Sequence, residues 1–124
     1  MAMNAASIAH LTEKERQAVG VFVHRLYERF PGEILQTTLF GSKARGDSGP
    51  WSDIDILTVV REESWPLRGE ISTFAARVSL EYDVLIGPRV IGQERGERMA
   101  RDGFSLYRNI SAEGIPLTPT PASS

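Results

Sequence analysis

Cysteine is absent from this 124-residue chain, so neither a disulfide nor a thiolate zinc site can be built from it, which fits a reducing compartment. A basic surplus is missing too. Lys and Arg number 14 against 16 Asp and Glu, a formal net charge of −2, whereas electrostatic binders of duplex nucleic acid carry excess cations. No apolar run approaches the roughly 20 residues of a membrane span. Nor does the N-terminus show the basic stretch and long apolar segment of a secretory signal. A cytoplasmic protein is the expectation. The two histidines, His10 and His24, have no second histidine at ligand spacing, and both read as structural or exposed. What remains is the composition of an ordinary folded domain, with room for one core of modest size.

Along the chain, residues 1–10 are small and unpatterned and read as a flexible N-terminus. Residues 118–124 form a Pro/Ser/Thr tail that can bury nothing and is expected to be disordered. The domain is expected over 11–117. Thr12 and Glu15 have capping-box spacing, and Val19, Phe22, Val23, Leu26 and Phe30 recur at helical intervals until Pro31-Gly32 ends the run. Residues 34–40 predict a strand leading into a Gly41-Ser42 turn, with a short helical turn from 42 to 44 and a loop from 46 to 50. The Ile, Leu and Val of 54–60 predict the strongest strand, ended by charge at 61–63. Leu67, Ile71, Phe74, Ala75 and Val78 follow Pro66 with helical period. A third strand is predicted over 81–86, closed by Gly87-Pro88. Glycines weaken the pattern from 90 to 112, where one or two helices are expected, and 115–117 could add an edge strand. No internal repeat occurs. Helices interleaved with three or four strands imply a small sheet covered by helices, an α/β or α+β sandwich.

The chemistry concentrates in Gly41-Ser42 followed, after a gap of ten residues, by Asp53-Ile54-Asp55. A glycine-serine turn can offer backbone N–H groups and a hydroxyl to a phosphate. Residues two apart on a strand lie about 6.6 Å apart on the same face, so Asp53 and Asp55 point together while Ile54 and Ile56 turn to the core. Two carboxylates about 6 Å apart repel by roughly 3 kcal/mol at an effective dielectric near 20, and a bound cation reverses the sign. A third acid, Asp83, would join them if its strand pairs beside 54–60; Glu81 shares its parity and competes for that place. Three oxygen ligands without His or Cys favour a hard ion, Mg²⁺ or Mn²⁺. Such a site suits phosphoryl or nucleotidyl transfer, in which two metals hold the attacking oxygen and the departing pyrophosphate. Ser42, the Gly41 backbone and Arg45 would then face the phosphates.

At this point Gly41-Ser42-Lys43-Ala44-Arg45-Gly46 and Ser52-Asp53-Ile54-Asp55-Ile56-Leu57 resemble the signature of the DNA polymerase β-like nucleotidyltransferase superfamily. Within it, residues 12–117 are most similar to the minimal nucleotidyltransferases (MNT), small prokaryotic proteins often paired with a HEPN-domain partner. The resemblance implies a short mixed sheet with helices on one side. It implies Gly41, Ser42 and Arg45 as nucleotide-binding residues, and Asp53, Asp55 and Asp83 as metal-binding, catalytic carboxylates. It also implies ATP as substrate, and an antitoxin that transfers AMP to a tyrosine of a HEPN toxin. The absence of a second domain to grip a primer, and of basic surplus, is compatible with a protein acceptor.

Other interpretations attach to the same residues. Asp53 and Asp55 could be strand-end acids, Arg45 a surface partner of Asp47, and Lys43 is expected to face solvent. Trp51 could stack on a base or shield the core edge, and Trp65 marks a helix entry. Arg89, Arg95, Arg98, Arg101 and Arg108, interleaved with Glu94, Glu97 and Asp102, read as a solvated ion-paired face rather than an RNA track; the same face could meet an acidic partner. Two other functions compete with AMP transfer. One is a binding antitoxin that neutralises its partner by occlusion. The other is a small-molecule nucleotidyltransferase of the aminoglycoside-modifying kind, which this chain lacks the helical domain to enclose.

Overall fold

Helix α1 (Glu13–Arg29) starts where its capping box puts it: the Thr12 hydroxyl accepts from the Glu15 N–H at 3.2 Å, and the Glu15 carboxylate accepts from the Thr12 N–H at 2.8 Å. The molecule is seen in a computed structural model that describes residues 3–4, 10–46, 49, 52–103, 108, 110 and 112–118. Strand β1 (Met3–Asn4) precedes α1. After it come β2 (Ile34–Phe40), the single turn α2 (Ser42–Arg45), β3 (Ile54–Val60), α3 (Trp65–Tyr82), β4 (Ile86–Gly92), α4 (Gln93–Asp102) and β5 (Ile115–Thr118). Two residues of the first ten thus pair, with β5. Trp51, Leu106, Tyr107 and the tail from 119 lie outside the described residues.

The strands form one mixed sheet in the order β1-β5-β2-β3-β4. β2 runs antiparallel to β3 and β5, and β3 runs parallel to β4 through the α3 crossover. This is the α+β fold expected, a short mixed sheet with its two long helices on one side. On that side Val19, Phe22, Val23 and Leu26 of α1 and Ile71, Ala75 and Val78 of α3 pack on Leu39, Ile54, Ile56 and Val60. A β-bulge between Ile34 and Gln36 shifts the parity of β2, so that Ile34 and Leu39 both face this core despite an odd separation. On the opposite side a smaller cluster joins Leu57, Ile91 and Ile110, with Phe40, Val59 and Met99 of α4 packed beside it.

One expected element moves. The third strand, predicted over 81–86, begins only at Ile86, because the helical period of α3 carries on to Tyr82, which packs on the main core. Asp83 then caps the helix in the left-handed region at φ 54°, its N–H donating to the Ser79 carbonyl. Ser79 finishes the turn: its hydroxyl donates to the Ala75 carbonyl at 2.7 Å and accepts from the Ile86 N–H at 3.0 Å. Gly87 and Pro88, read as the stop, lie inside β4; Pro88 is tolerated because β4 is an edge strand.

Candidate active site

Asp53 precedes β3 and Asp55 is its second residue, so pleating sends both carboxylates to the face opposite the main core. Register sets their surroundings. Asp55 lies beside Phe40 of β2 and Gly87 of β4. A Cβ at Gly87 would stand 3.4 Å from Asp55 Oδ1 and 3.9 Å from Asp53 Oδ2, so the two acids converge over a residue without a side chain. The Gly-Ser turn reaches the same point. Gly41 holds φ 77°, and a Cβ there would lie 2.6 Å from Asp55 Oδ2. Glycine is required twice over, for its backbone conformation and for the closeness of the carboxylate.

The turn that follows is short and directed. The Gly41 carbonyl accepts from the N–H groups of Ala44 and Arg45, both at 3.1 Å, leaving the amides at the start of the turn without an acceptor inside it. Burial pushes the Asp55 carboxyl above the ordinary carboxylate range, the Asp53 charge adds to the rise, and Arg89 and Arg45 oppose it. The paired acids are therefore under electrostatic tension, and two hard carboxylate donors in that state fit a divalent cation. Arg45 also bonds Glu113 at 3.3 Å.

Asp83 does not complete the set. Its side chain, 93% exposed, pairs with Lys14 at 3.4 Å, and no group of three His, Cys, Asp or Glu able to hold a metal occurs among the described residues. The placement expected for it depended on a strand over 81–86, and the helix cap replaces that strand. Glu81, the competing candidate, belongs to α3 and pairs with Arg25 at 3.4 Å.

Lys43 departs from expectation as well. Its side chain is only 4% exposed, and its ammonium meets the Glu15 carboxylate at 2.6 Å. One carboxylate thus serves the cap of α1 and the turn α2. Burial acts to raise the Glu15 pKa, but hydrogen bonds from Lys43 and Thr12, with the lysine charge, outweigh it and hold the group below its ordinary value. The pair lines a cavity of about 330 Å³ that also touches Ser52, Asp83 and Leu85. Gly87, Arg89 and Glu15 are the site residues that sequence patterning passed over. Gly87 and Arg89 become visible only once β4 starts at 86, and the capping box gives Glu15 a sufficient role before its tertiary one is seen. No described helix is long and apolar enough to cross a membrane.

The chain matches the family described as "Nucleotidyltransferase domain" over residues 22–98. It is 34% identical to "Putative protein adenylyltransferase MJ0604" of Methanocaldococcus jannaschii over 103 residues, covering 83% of this chain and 97% of that protein. It is 47% identical to "Putative protein adenylyltransferase MJ0141" of the same organism over 57 residues, 45% of this chain and 58% of that one. Its fold is similar to a chain in a crystal structure of a toxin-antitoxin with AMP-PNP, with a TM-score of 0.56 at 18% identity, covering 82% of this chain and 74% of that chain. With a Gly-Ser turn set against paired aspartates on a mixed sheet, and a relative matched over nearly its whole length, the chain belongs to the nucleotidyltransferase domain family and is a nucleotidyltransferase.

Proposed function

We propose that this nucleotidyltransferase transfers AMP from ATP to a hydroxyl, that of a tyrosine, on a partner toxin of HEPN type, and that it acts in the cytoplasm as the antitoxin. The observation that carries this is the convergence of the Asp53 and Asp55 carboxylates over Gly87, with Asp55 set against Gly41 at the head of the Gly-Ser turn. The names of the relatives as protein adenylyltransferases, and the toxin-antitoxin source of a structural neighbour, support the same direction.

In the proposed reaction the acceptor oxygen attacks the α-phosphorus of ATP. A new O–P bond forms, the bond to the β-phosphate bridge breaks, pyrophosphate leaves, and the hydroxyl proton passes to a carboxylate or to water. Ser42, the Gly41–Lys43 backbone and Arg45 hold the triphosphate. Asp53 and Asp55 would hold Mg²⁺, or Mn²⁺, which supplies charge neutralisation to the phosphates. Asp83, turned outward to Lys14, is left out of this proposal, and the two aspartates of β3 carry it.

The test asks whether the adjacent reading frame encodes a helical HEPN-type protein, and mixes that product with the chain, labelled ATP and Mg²⁺. Asp53→Asn with Asp55→Asn is expected to lower label transfer by about a thousandfold, equivalent to about 4 kcal/mol, with the fold intact by circular dichroism. Unchanged transfer refutes the site. Asp83→Asn is expected to leave transfer unchanged; a large loss would return that residue to the mechanism. The outward placement of Asp83 favours a second reading, occlusion without catalysis. It prevails if the double variant neutralises the partner as well as the parent does.

A further inference from the structure

A cleft of about 850 Å³ opens along the free edge of the sheet, between β4 and helices α3 and α4. Its rim carries Arg68, Arg89, Arg95 and Arg98, with Asp102 as the opposing charge, while Val90, Ile91 and Met99 give it an apolar floor. Arg68 and Arg95 share a single carboxylate, Glu63, at 2.6 and 3.1 Å. Arg98 forms no ion pair or hydrogen bond with another described residue. Among the described residues these four guanidinium groups face Glu63, Asp102 and, through Arg89, Asp55, on a chain whose formal net charge is −2. Arg89 belongs both to this rim and to the field that acts on Asp55, so the cleft adjoins the paired carboxylates.

We infer that this cleft receives an acidic polypeptide segment of the acceptor protein, one carrying apolar side chains among its carboxylates. The inference rests on the transferase reading above and names where its acceptor docks. Guanidinium groups bind carboxylates through paired donors, and the floor takes the apolar side chains between them. Single-stranded nucleic acid fits less well, because it needs stacking surfaces and among the described residues no aromatic lines the cleft.

Strand addition to β4 is also disfavoured. The Ile54 N–H donates to the Leu85 carbonyl, so by alternation the backbone groups of Ile86, Pro88, Val90 and Gly92 face away from β3. Pro88 has no N–H, the Ile86 N–H is taken by Ser79 Oγ, and the Gly92 N–H by Glu63 at 2.7 Å. Among these four, Val90 alone has an outward N–H with no partner among the described residues. Recognition must come from the side chains, and their charge selects an acidic partner.

The probe is a fluorescein-labelled peptide alternating Glu and Leu around one Tyr, followed by anisotropy. Its counterparts are the same peptide with Lys for Glu and a labelled oligouridylate. Binding is measured first on the Asp53→Asn, Asp55→Asn variant, where neither transfer nor metal is needed. The acidic peptide is expected to bind, the basic one not, and Arg98→Glu to weaken binding about tenfold, with Arg98→Gln intermediate. Circular dichroism checks each fold. Equal binding of the basic peptide, preference for the oligouridylate, or indifference to Arg98→Glu overturns the inference. Transfer separates the two readings. If the acidic peptide binds but neither it nor the partner protein is labelled by the parent chain, the transferase reading fails and the docking site stands. If the partner is labelled with a KM unmoved by Arg98→Glu, the docking site fails and the transferase stands.

Discussion

The two faces of the sheet differ in what their side chains can afford to do. One is sealed by α1 and α3, where Phe22, Leu26, Ile56 and Val78 are fully buried and satisfied by apolar contact. The other carries Asp53, Asp55 and Arg89 beside a small cluster that Met99 only partly covers. Charge accumulates where the sheet is uncovered, because an ion pays a desolvation cost wherever helices exclude water. The sealed face supplies stability, and the open face holds groups whose repulsion the rest of the fold must tolerate.

Breaking the sealed face has the largest expected effect. Phe22→Ala is expected to cost about 3–5 kcal/mol, and Met99→Ala on the open face about 1 kcal/mol, read from urea unfolding. Equal losses would erase the distinction between the faces. Next comes the ion pair between α1 and the turn α2. Lys43→Met strands the Glu15 carboxylate and is expected to cost about 3 kcal/mol, much of it restored by adding Glu15→Gln. Because Glu15 ionises below its ordinary 4.5 in the folded chain, its contribution is full above that value and fades as pH falls through the lowered pKa. The parent should therefore lose stability on acidification more steeply than the Lys43→Met, Glu15→Gln variant; parallel curves would argue against the pair.

Gly41→Ala comes third in stability, at about 1–3 kcal/mol, yet it should depress nucleotidyl transfer about a hundredfold by displacing Asp55. Calorimetry and a transfer assay on one preparation separate the two effects. A fully active variant would mean that the turn does not need its closeness to the carboxylate. The smallest effect has the opposite sign. Asp55 ionises above the ordinary range in the folded chain, so the unfolded chain gives up that proton at lower pH, and stability falls as pH rises through the interval. Without metal, Asp55→Asn is expected to raise the Tm slightly near neutral pH, and a lowered Tm contradicts the repulsion.

Local patterns were legible where one short-range rule governs. Thr12 and Glu15 cap α1, and the strands over 34–40 and 54–60 match their predicted bounds, since capping and period-2 burial act within a few residues. The end of α3 was not legible in this way. Residues 81–86 hold Tyr82, Val84, Leu85 and Ile86, apolar enough for a strand, and only the packing of Tyr82 on the core and the Ser79 hydrogen bonds decide for the helix. The error passed to Asp83, whose expected place depended on that strand. Lys43 was misread for a related reason: a lysine after a turn belongs in water unless a carboxylate 28 positions earlier in the chain is folded against it.

Sequence alone determined the glycine-serine turn, the pairing of Asp53 with Asp55 on one face, and the core positions of both long helices, because each follows from backbone periodicity and residue chemistry over a few positions. Only the tertiary structure decided that Gly87 opens space over the carboxylates, that Glu15 neutralises Lys43, and that four arginines gather at one sheet edge. Those contacts join residues far apart in the chain, and their energies exist only once strand register and helix packing have brought the charges together.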